Sequence, residues 1–187
     1  MSIECFEEYG KYVMITGVRD AKISHPEAVL RQLRQISGGV DAQILDTKSI
    51  AGKDHLRFAV LNALKAWKQG SQVSESLAIE IILYASGQRQ IKNAIAFLGV
   101  TSDSRNLAVI GISSERSALE GFKARLRDVI GGEMDELILE EGDNDAVKRT
   151  FDITDVQLKT LVGRTLTEKE ALTRLVIEKM ALLSTQS

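Results

Sequence analysis

Three segments of the chain carry the hydrophobic pattern of β-strands. Residues 11–18 are rich in β-branched and aromatic side chains, and residues 40–45 alternate apolar with polar positions. Such alternation is typical of a strand with one buried and one solvated face. Residues 106–112 are apolar almost throughout, which is typical of a central strand. The pattern therefore predicts a small β-sheet.

Apolar side chains at spacings of three and four predict helices over much of the remaining chain. A helix begins near Pro26, and others cover residues 52–69, 115–130 and 167–183. The predicted buried stripe of the second of these is Leu56, Val60, Ala63, Leu64 and Trp67. In the last helix, Thr167 followed three residues later by Glu170 has the spacing of a capping box. Shorter helices are predicted over residues 88–98, 146–151 and 155–162.

The segment 74–86 is apolar on nearly all sides. This pattern predicts a buried helix, with Ser74 as its N-cap and Gly87 as its C-terminal cap. A buried strand is the alternative, because periodicity does not separate the two over so short a run. The helix that follows is predicted to turn Ile91, Ala94, Ile95 and Leu98 inward. The acidic segment 133–145 predicts no single structure.

Together the elements predict an α/β (α+β) fold, in which a small central β-sheet is covered by several α-helices. With 187 residues, 44% hydrophobic and 27% charged, the chain has the composition of an ordinary globular protein. A chain of this length fits one domain over residues 1–187.

Charge and cysteine content exclude several classes of protein. The formal net charge is −2, so binding to nucleic acid requires a local basic surface. Cys5 is the single cysteine, which excludes an internal disulfide and a zinc site built from several thiolates. No apolar run approaches the roughly 20 residues that span a bilayer, and the acidic N-terminus is unlike a secretory signal. We expect a soluble, cytoplasmic protein without membrane association, metal, cofactor or small-molecule substrate.

Catalytic motifs are also missing from the sequence. It has two histidines without metalloprotease spacing, and it has no nucleophile elbow, phosphate-binding loop or dinucleotide fingerprint. Three other features stand out. Basic residues outnumber acidic ones over residues 48–68, Gly87 separates two helices with Arg89 and Lys92 close by, and the last helix is apolar over more than one stripe. A helix N-terminus flanked by cations favours an anion such as phosphate.

Two segments resemble a known family. They are residues 50–67, IAGKDHLRFAVLNALKAW, and residues 76–100, SLAIEIILYASGQRQIKNAIAFLGV. The sequence resembles the kinase-binding subunit of the KEOPS complex, called PRPK-binding protein in animals. It is more similar to archaeal than to animal members of that family. The strand VDAQILD and the late FDITDVQL segment extend the likeness over most of the chain.

This resemblance implies an α/β domain without a catalytic centre of its own. It implies binding to the N-terminal lobe of the small kinase-like ATPase subunit and help in recruiting tRNA through its 3′ CCA end. The complex makes threonylcarbamoyl-adenosine in tRNA, with the chemistry in another subunit. The match points to an RNA-binding set of Lys53, His55, Arg57, Ser86, Gly87, Arg89, Gln90 and Ile91. For kinase binding we predict the wide apolar surface of the last helix, chiefly Leu172, Leu175, Val176 and Leu183.

Two alternatives stay open at the level of sequence. The protein could be a purely structural kinase adaptor that does not touch RNA. It could also be a small standalone enzyme that uses His55 with Glu80 as an acid/base pair, which would require a pocket and a perturbed pKa.

Overall fold

A computed structural model describes residues 3–162 and 166–183. Within these residues the chain forms an α+β fold with five strands and eight α-helices. The strands are β1 (Ile3–Phe6), β2 (Lys11–Arg19), β3 (Asp41–Asp46), β4 (Leu107–Ser113) and β5 (Glu133–Met134). The helices are α1 (Pro26–Ile36), α2 (Lys53–Gln69), α3 (Leu77–Ser86), α4 (Ile91–Leu98), α5 (Arg116–Ile130), α6 (Asn144–Phe151), α7 (Asp155–Leu161) and α8 (Glu168–Leu183). The predicted fold class is confirmed.

The strands form one antiparallel sheet in the order β1-β2-β4-β3. On the side of β2 away from β4, β1 pairs with its first half and β5 with its last two residues. The predicted central strand, β4, is buried along its whole length. It pairs with β2 on one side and β3 on the other, so the prediction of a central strand is confirmed.

The chain divides into two compact units, each built from two separate segments. The first unit contains residues 1–47 and 99–139, and the second contains residues 48–98 and 140–187. The whole sheet with α1 and α5 belongs to the first unit. The second unit contains the other six helices of the described chain. The prediction of a single domain over residues 1–187 stays a prediction.

Each unit has its own apolar core. In the first, buried side chains from one face of the sheet, such as Met14 and Val109, pack with Leu33 of α1 and Phe122 of α5. In the second, a buried cluster joins α6, α7 and α8 with the turn before α2; its members are Ala51, Val147, Phe151, Ile153, Leu158, Ala171, Leu172, Leu175 and Val176. Burial of these apolar side chains is the main stabilising term for each unit.

Helices α2 and α3 confirm the main sequence predictions with small corrections. Leu56, Val60, Ala63 and Leu64 are buried as predicted, but Trp67 is 37% exposed. Residues 77–86 are helical, so the alternative of a strand is wrong. Gly87 is the C-terminal cap, but the N-cap is Ser76, whose hydroxyl accepts from the N–H of Ile79. The predicted capping box of Thr167 and Glu170 is present at the start of α8.

Two strands and one helix face differ from the prediction. Strand β1 was not predicted, because a four-residue edge strand in which only Phe6 is buried has a weak apolar signal. The two-residue strand β5 and a short 3-10 helix occupy much of the acidic segment. In α4, Ala94 and Leu98 are buried, whereas Ile91 and Ile95 are 43% and 50% exposed.

Gly17 of β2 marks a close approach of two backbones. Its carbonyl accepts the N–H of Asp135 at 3.0 Å. A Cβ at this position would lie 2.2 Å from both the carbonyl O of Asp135 and Cγ2 of Ile138. Because a main-chain atom cannot move aside as a flexible side chain can, only glycine fits without a shift of the backbone.

We expect Gly17→Ala to reduce the free energy of unfolding by about 1–3 kcal/mol because of this overlap. The control is Gly121→Ala in the exposed interior of α5, where the nearest other atom is 3.8 Å from the added Cβ. That change should stabilise the protein by about 0.5–1 kcal/mol, since alanine favours a helix. Urea unfolding followed by circular dichroism measures both. Equal effects of the two substitutions would contradict the steric explanation.

Candidate functional site

A buried histidine lies where segments of the second unit meet. His55, in the first turn of α2, is fully buried. Its Nδ1 accepts a hydrogen bond from the backbone N–H of Ala51 at 3.1 Å. Nε2 therefore carries the ring proton and donates to the carbonyl O of Ala85 at 2.7 Å. One imidazole thus joins the turn before α2 to the last turn of α3.

The surroundings keep this imidazole neutral. Burial lowers the pKa of His55 from 6.5 to about 4, against a smaller opposite effect of the hydrogen bond to Ala85. The ring of Phe151 stands edge-on to the imidazole, with the ring centroids 5.4 Å apart and the planes at 80°. At neutral pH, His55 is therefore an uncharged link between backbone segments.

The chain reverses direction at Gly87, directly after α3. This residue has φ 63° and ψ 24°, a left-handed conformation that glycine adopts at little cost. Its N–H bonds to the carbonyl O of Tyr84, and the next N–H, of Gln88, bonds to that of Leu83, as in a Schellman motif. Helix α4 begins only at Ile91. The four residues between the helices, Gly87 to Gln90, therefore form a turn, which we call the Gly87 turn.

An exposed cation stands on this turn. Arg89 has neither a hydrogen bond nor an ion pair in the described part of the chain. It lines a cavity of about 290 Å³ whose walls come from α2, α3, the segment between them and Leu183. Polar side chains dominate the lining, among them Asn62, Lys65, Gln69, Tyr84 and Gln88. We call this the Arg89 pocket.

Tyr84 responds to the charges around the Arg89 pocket. Burial raises the pKa of its hydroxyl, and the carboxylate of Glu80 raises it further, while Arg89 acts in the opposite direction. The hydroxyl therefore stays protonated at neutral pH and can donate a hydrogen bond. The pocket presents two cations, a hydroxyl and several amides, together with the buried carboxylate of Glu80. Because its cations outnumber this carboxylate, it suits a polar ligand carrying an anion.

Glu80 holds the segment between α2 and α3. Its side chain is 2% exposed, and its carboxylate accepts the backbone N–H groups of Val73 and Ser74 at 3.1 and 3.0 Å. The nitrogens of His55 bond to other backbone groups. The two residues therefore do not form the acid/base pair of the enzyme hypothesis, and that assignment of the pair is wrong.

A second groove, of about 580 Å³, lies beside the N-terminus of α2. Here Glu140 accepts the backbone N–H of Lys53 at 2.8 Å and the Nζ of Lys169 at 2.8 Å. Burial raises the pKa of Glu140, but these hydrogen bonds outweigh it and hold the pKa below its ordinary value. The hydroxyl of Thr173 donates to the carbonyl O of Ala51, which fixes α8 against the same turn.

The structure separates the predicted RNA-binding residues into three groups. Arg89, Gln90 and Ile91 are exposed on or next to the Gly87 turn, and Gly87 is half-buried there. Lys53 and Arg57 are half-buried on α2. Lys53 lines the second groove, beside Glu140, and not the Arg89 pocket. His55 and Ser86 are fully buried, and Ser86 donates its hydroxyl to the carbonyl O of Leu83. A direct RNA contact by these two buried side chains is therefore corrected to a structural role.

The predicted kinase-binding residues need a similar correction. Leu172, Leu175 and Val176 are buried in the apolar core of their own unit, with at most 8% exposure. They are therefore not a free docking surface. Leu183 is half-buried and lines the Arg89 pocket, and its neighbour Leu182 is 49% exposed.

Most of the residues that line the pocket with Arg89 were not predicted from the sequence. Lys65 belongs to the basic segment that the sequence identified, yet Tyr84 and Asn62 gave no signal of their own. Charge is concentrated here: residues 48–98 contain seven Lys and Arg against three Asp and Glu. The antiparallel packing of α2 and α3, which brings Lys65 and Arg89 to one cavity, could not be read from either helix alone.

Comparison with known proteins decides the family. Residues 20–184 match the family model described as kinase binding protein CGI-121. The chain belongs to this family. Similar members include the regulatory protein Cgi121 of Methanocaldococcus jannaschii, 32% identical over 68% of this chain and 74% of that protein. The KEOPS complex subunit Cgi121 of Pyrococcus abyssi is 26% identical over 79% of this chain and 84% of its own length.

The family also has a eukaryotic member that resembles this chain. The EKC/KEOPS complex subunit cgi121 of Schizosaccharomyces pombe is 27% identical over 64% of this chain and 68% of that protein. The matched region, residues 20–184, begins after β1 and β2 and contains strands β3 to β5, the eight described α-helices and the Gly87 turn. Among the described residues, no helix has the length and apolar character needed to cross a bilayer.

The buried imidazole gives a pH-dependent prediction. The pKa of His55 is lower in the folded state than in the unfolded chain, so its contribution to stability is complete above pH 6.5 and is lost as the pH falls towards 4. From a pKa lowered to about 4, the loss is on the order of 3 kcal/mol. His55→Gln keeps a donor for Ala85 but cannot take up a proton in this range, so its stability should change less between pH 7 and pH 4.

The control is His25→Gln, which changes the exposed histidine at the start of α1. Its unfolding free energy should follow the wild-type pH profile. Chemical unfolding at a series of pH values measures all three proteins. A His55→Gln profile parallel to that of the wild type between pH 6.5 and 4 would contradict the assignment.

Proposed function

We propose that the protein is a non-catalytic subunit of a KEOPS complex, which makes threonylcarbamoyl-adenosine in tRNA. In this role it binds and regulates the complex's small kinase-like ATPase subunit. It also helps to recruit tRNA through the 3′ CCA end. Membership of a family named for kinase binding, together with two relatives named as KEOPS subunits, supports the first part.

The observation that supports RNA binding is the unpaired guanidinium of Arg89 beside a polar pocket. An exposed arginine can pair with phosphate oxygens in a bidentate manner. Lys65 adds a second cation, and the amides of Asn62, Gln69 and Gln88 can each donate to and accept from a base edge. Unpaired bases at an RNA end expose those edges, whereas a duplex hides them.

The corrected RNA-binding surface keeps six of the predicted residues. Arg89, Gln90, Ile91 and Gly87 form its centre on the Gly87 turn. Lys53 and Arg57 would contact a more distant part of the RNA backbone, since Lys53 lines a different groove. His55 and Ser86 are buried beneath this surface and are not exposed on it.

We expect Arg89→Ala to weaken binding of tRNA with an intact 3′ CCA end about five- to tenfold, because one phosphate contact is lost. The slope of log K against log salt should decrease by about 0.7 for a single-stranded segment. Removing the CCA end should weaken binding by the wild type and abolish the difference between the two proteins. Fluorescence anisotropy at two salt concentrations measures these changes.

The matched control is Arg31→Ala, which removes an exposed arginine from α1 in the other unit and should leave tRNA affinity unchanged. Equal binding of tRNA with and without the CCA end would overturn the RNA part of the proposal. A kinase adaptor that does not contact RNA would then be the better description.

Kinase binding is proposed for the exposed end of α8, where Leu182 and Leu183 extend past the buried cluster. We expect Leu182→Asp to weaken binding to the kinase-like subunit at least about tenfold, because a charge would replace an apolar anchor. The control is Leu137→Asp, at a 71% exposed position in the first unit. Isothermal titration calorimetry measures both affinities. Equal affinities of the two variants would move the kinase interface away from α8.

A further inference from the structure

The ring of Phe151 lies beside both the Gly87 turn and the buried imidazole of His55. A Cβ placed on Gly87 would lie 3.5 Å from Cε1 and 3.6 Å from Cδ1 of Phe151. Apart from the two chain neighbours of Gly87, no other described side chain comes within 4 Å of that position. The same ring packs edge-on to His55, whose Nε2 donates to Ala85 two residues before Gly87. The ring therefore borders the turn and supports the histidine whose hydrogen bond holds the end of α3.

Phe151 is in turn held firmly at the end of α6. Asp143 caps the start of this helix, accepting the N–H groups of Asp145 and Ala146. The next residue, Asp152, has φ 49° and ψ 53°, a left-handed conformation that is strained for a residue other than glycine. Its carbonyl accepts from the Nζ of Lys179. The chain thus tolerates backbone strain at the residue that follows the ring.

The ring of Phe151 also packs within the apolar core of its unit. Phe151 is 5% exposed and belongs to the apolar cluster with Val147, Leu175 and Val176. Close-packed interiors transmit a displacement because they contain few voids. A change in the ring would therefore shift the backbone at Gly87 more readily than a change elsewhere in the cluster that does not touch it.

We infer that Phe151 is a positioning residue, which sets the place of the Gly87 turn and thereby the direction in which Arg89 and Gln90 point. This inference rests on the proposed RNA-binding function for its consequence. The structural part of the inference, that the ring positions the turn, does not depend on that function. Binding that depends on a turn's geometry loses affinity when the turn is no longer preorganised.

The test compares Phe151→Leu with Val147→Ala, a change one turn earlier in α6 that also enlarges space in the cluster. Affinity for tRNA with an intact CCA end should fall about tenfold for Phe151→Leu and by less than about twofold for Val147→Ala, at similar melting temperatures. Amide hydrogen exchange at Gly87 and Gln88 should accelerate more in Phe151→Leu than its loss of global stability explains. If Phe151→Leu does not fold, Phe151→Met replaces it.

The two readouts separate the possible failures. Exchange at Gly87 and Gln88 that follows global stability alike in both variants would overturn the positioning role, whatever the RNA does. Equal tRNA affinities of the two variants, in a protein whose wild type binds the CCA end, would overturn it as well. If the wild type does not bind tRNA, the proposed RNA function fails, and exchange alone decides the role of Phe151.

Discussion

The second unit is organised around one neutral imidazole that replaces two missing backbone partners. His55 accepts the N–H of Ala51 and donates to the carbonyl of Ala85, so it connects segments more than thirty residues apart in sequence. A buried backbone group without a partner costs free energy comparable to a lost hydrogen bond. The imidazole satisfies one donor and one acceptor at once. It does so only while uncharged, because a protonated ring has two donors and no acceptor.

The polar residues described in this unit have different roles according to whether they are buried or exposed. Buried ones, such as His55, Glu80 and Ser86, bond to the backbone and define where helices begin and end. The exposed guanidinium of Arg89 makes no such hydrogen bond with the described residues and remains available to a ligand. A structural role is thus shown for His55, Glu80 and Ser86.

The sequence predicted most helices and strands but not which of their side chains are exposed. Exposure depends on contacts between residues that are distant in the chain. The periodicity of α2 and the glycine after α3 are local signals, and both were confirmed. Exposure of Ile91, by contrast, depends on which neighbours reach α4, and burial of Leu172 depends on α6 and α7. Neither can be read from the helix itself. The family resemblance named His55 and Ser86 as RNA-binding residues, but residue type alone does not distinguish a contact with a ligand from a contact with the backbone.

The interleaving of the two units constrains how the chain can fold during synthesis. The central strand β4 pairs with β2 and β3, but residues 48–98, which belong to the second unit, are made between β3 and β4. The sheet cannot close until that insertion has left the ribosome, and the second unit waits in turn for α6–α8. Such long-range pairing slows folding. Early strands are therefore exposed for longer, and a cut between residues 98 and 99 leaves no fragment that contains either unit whole.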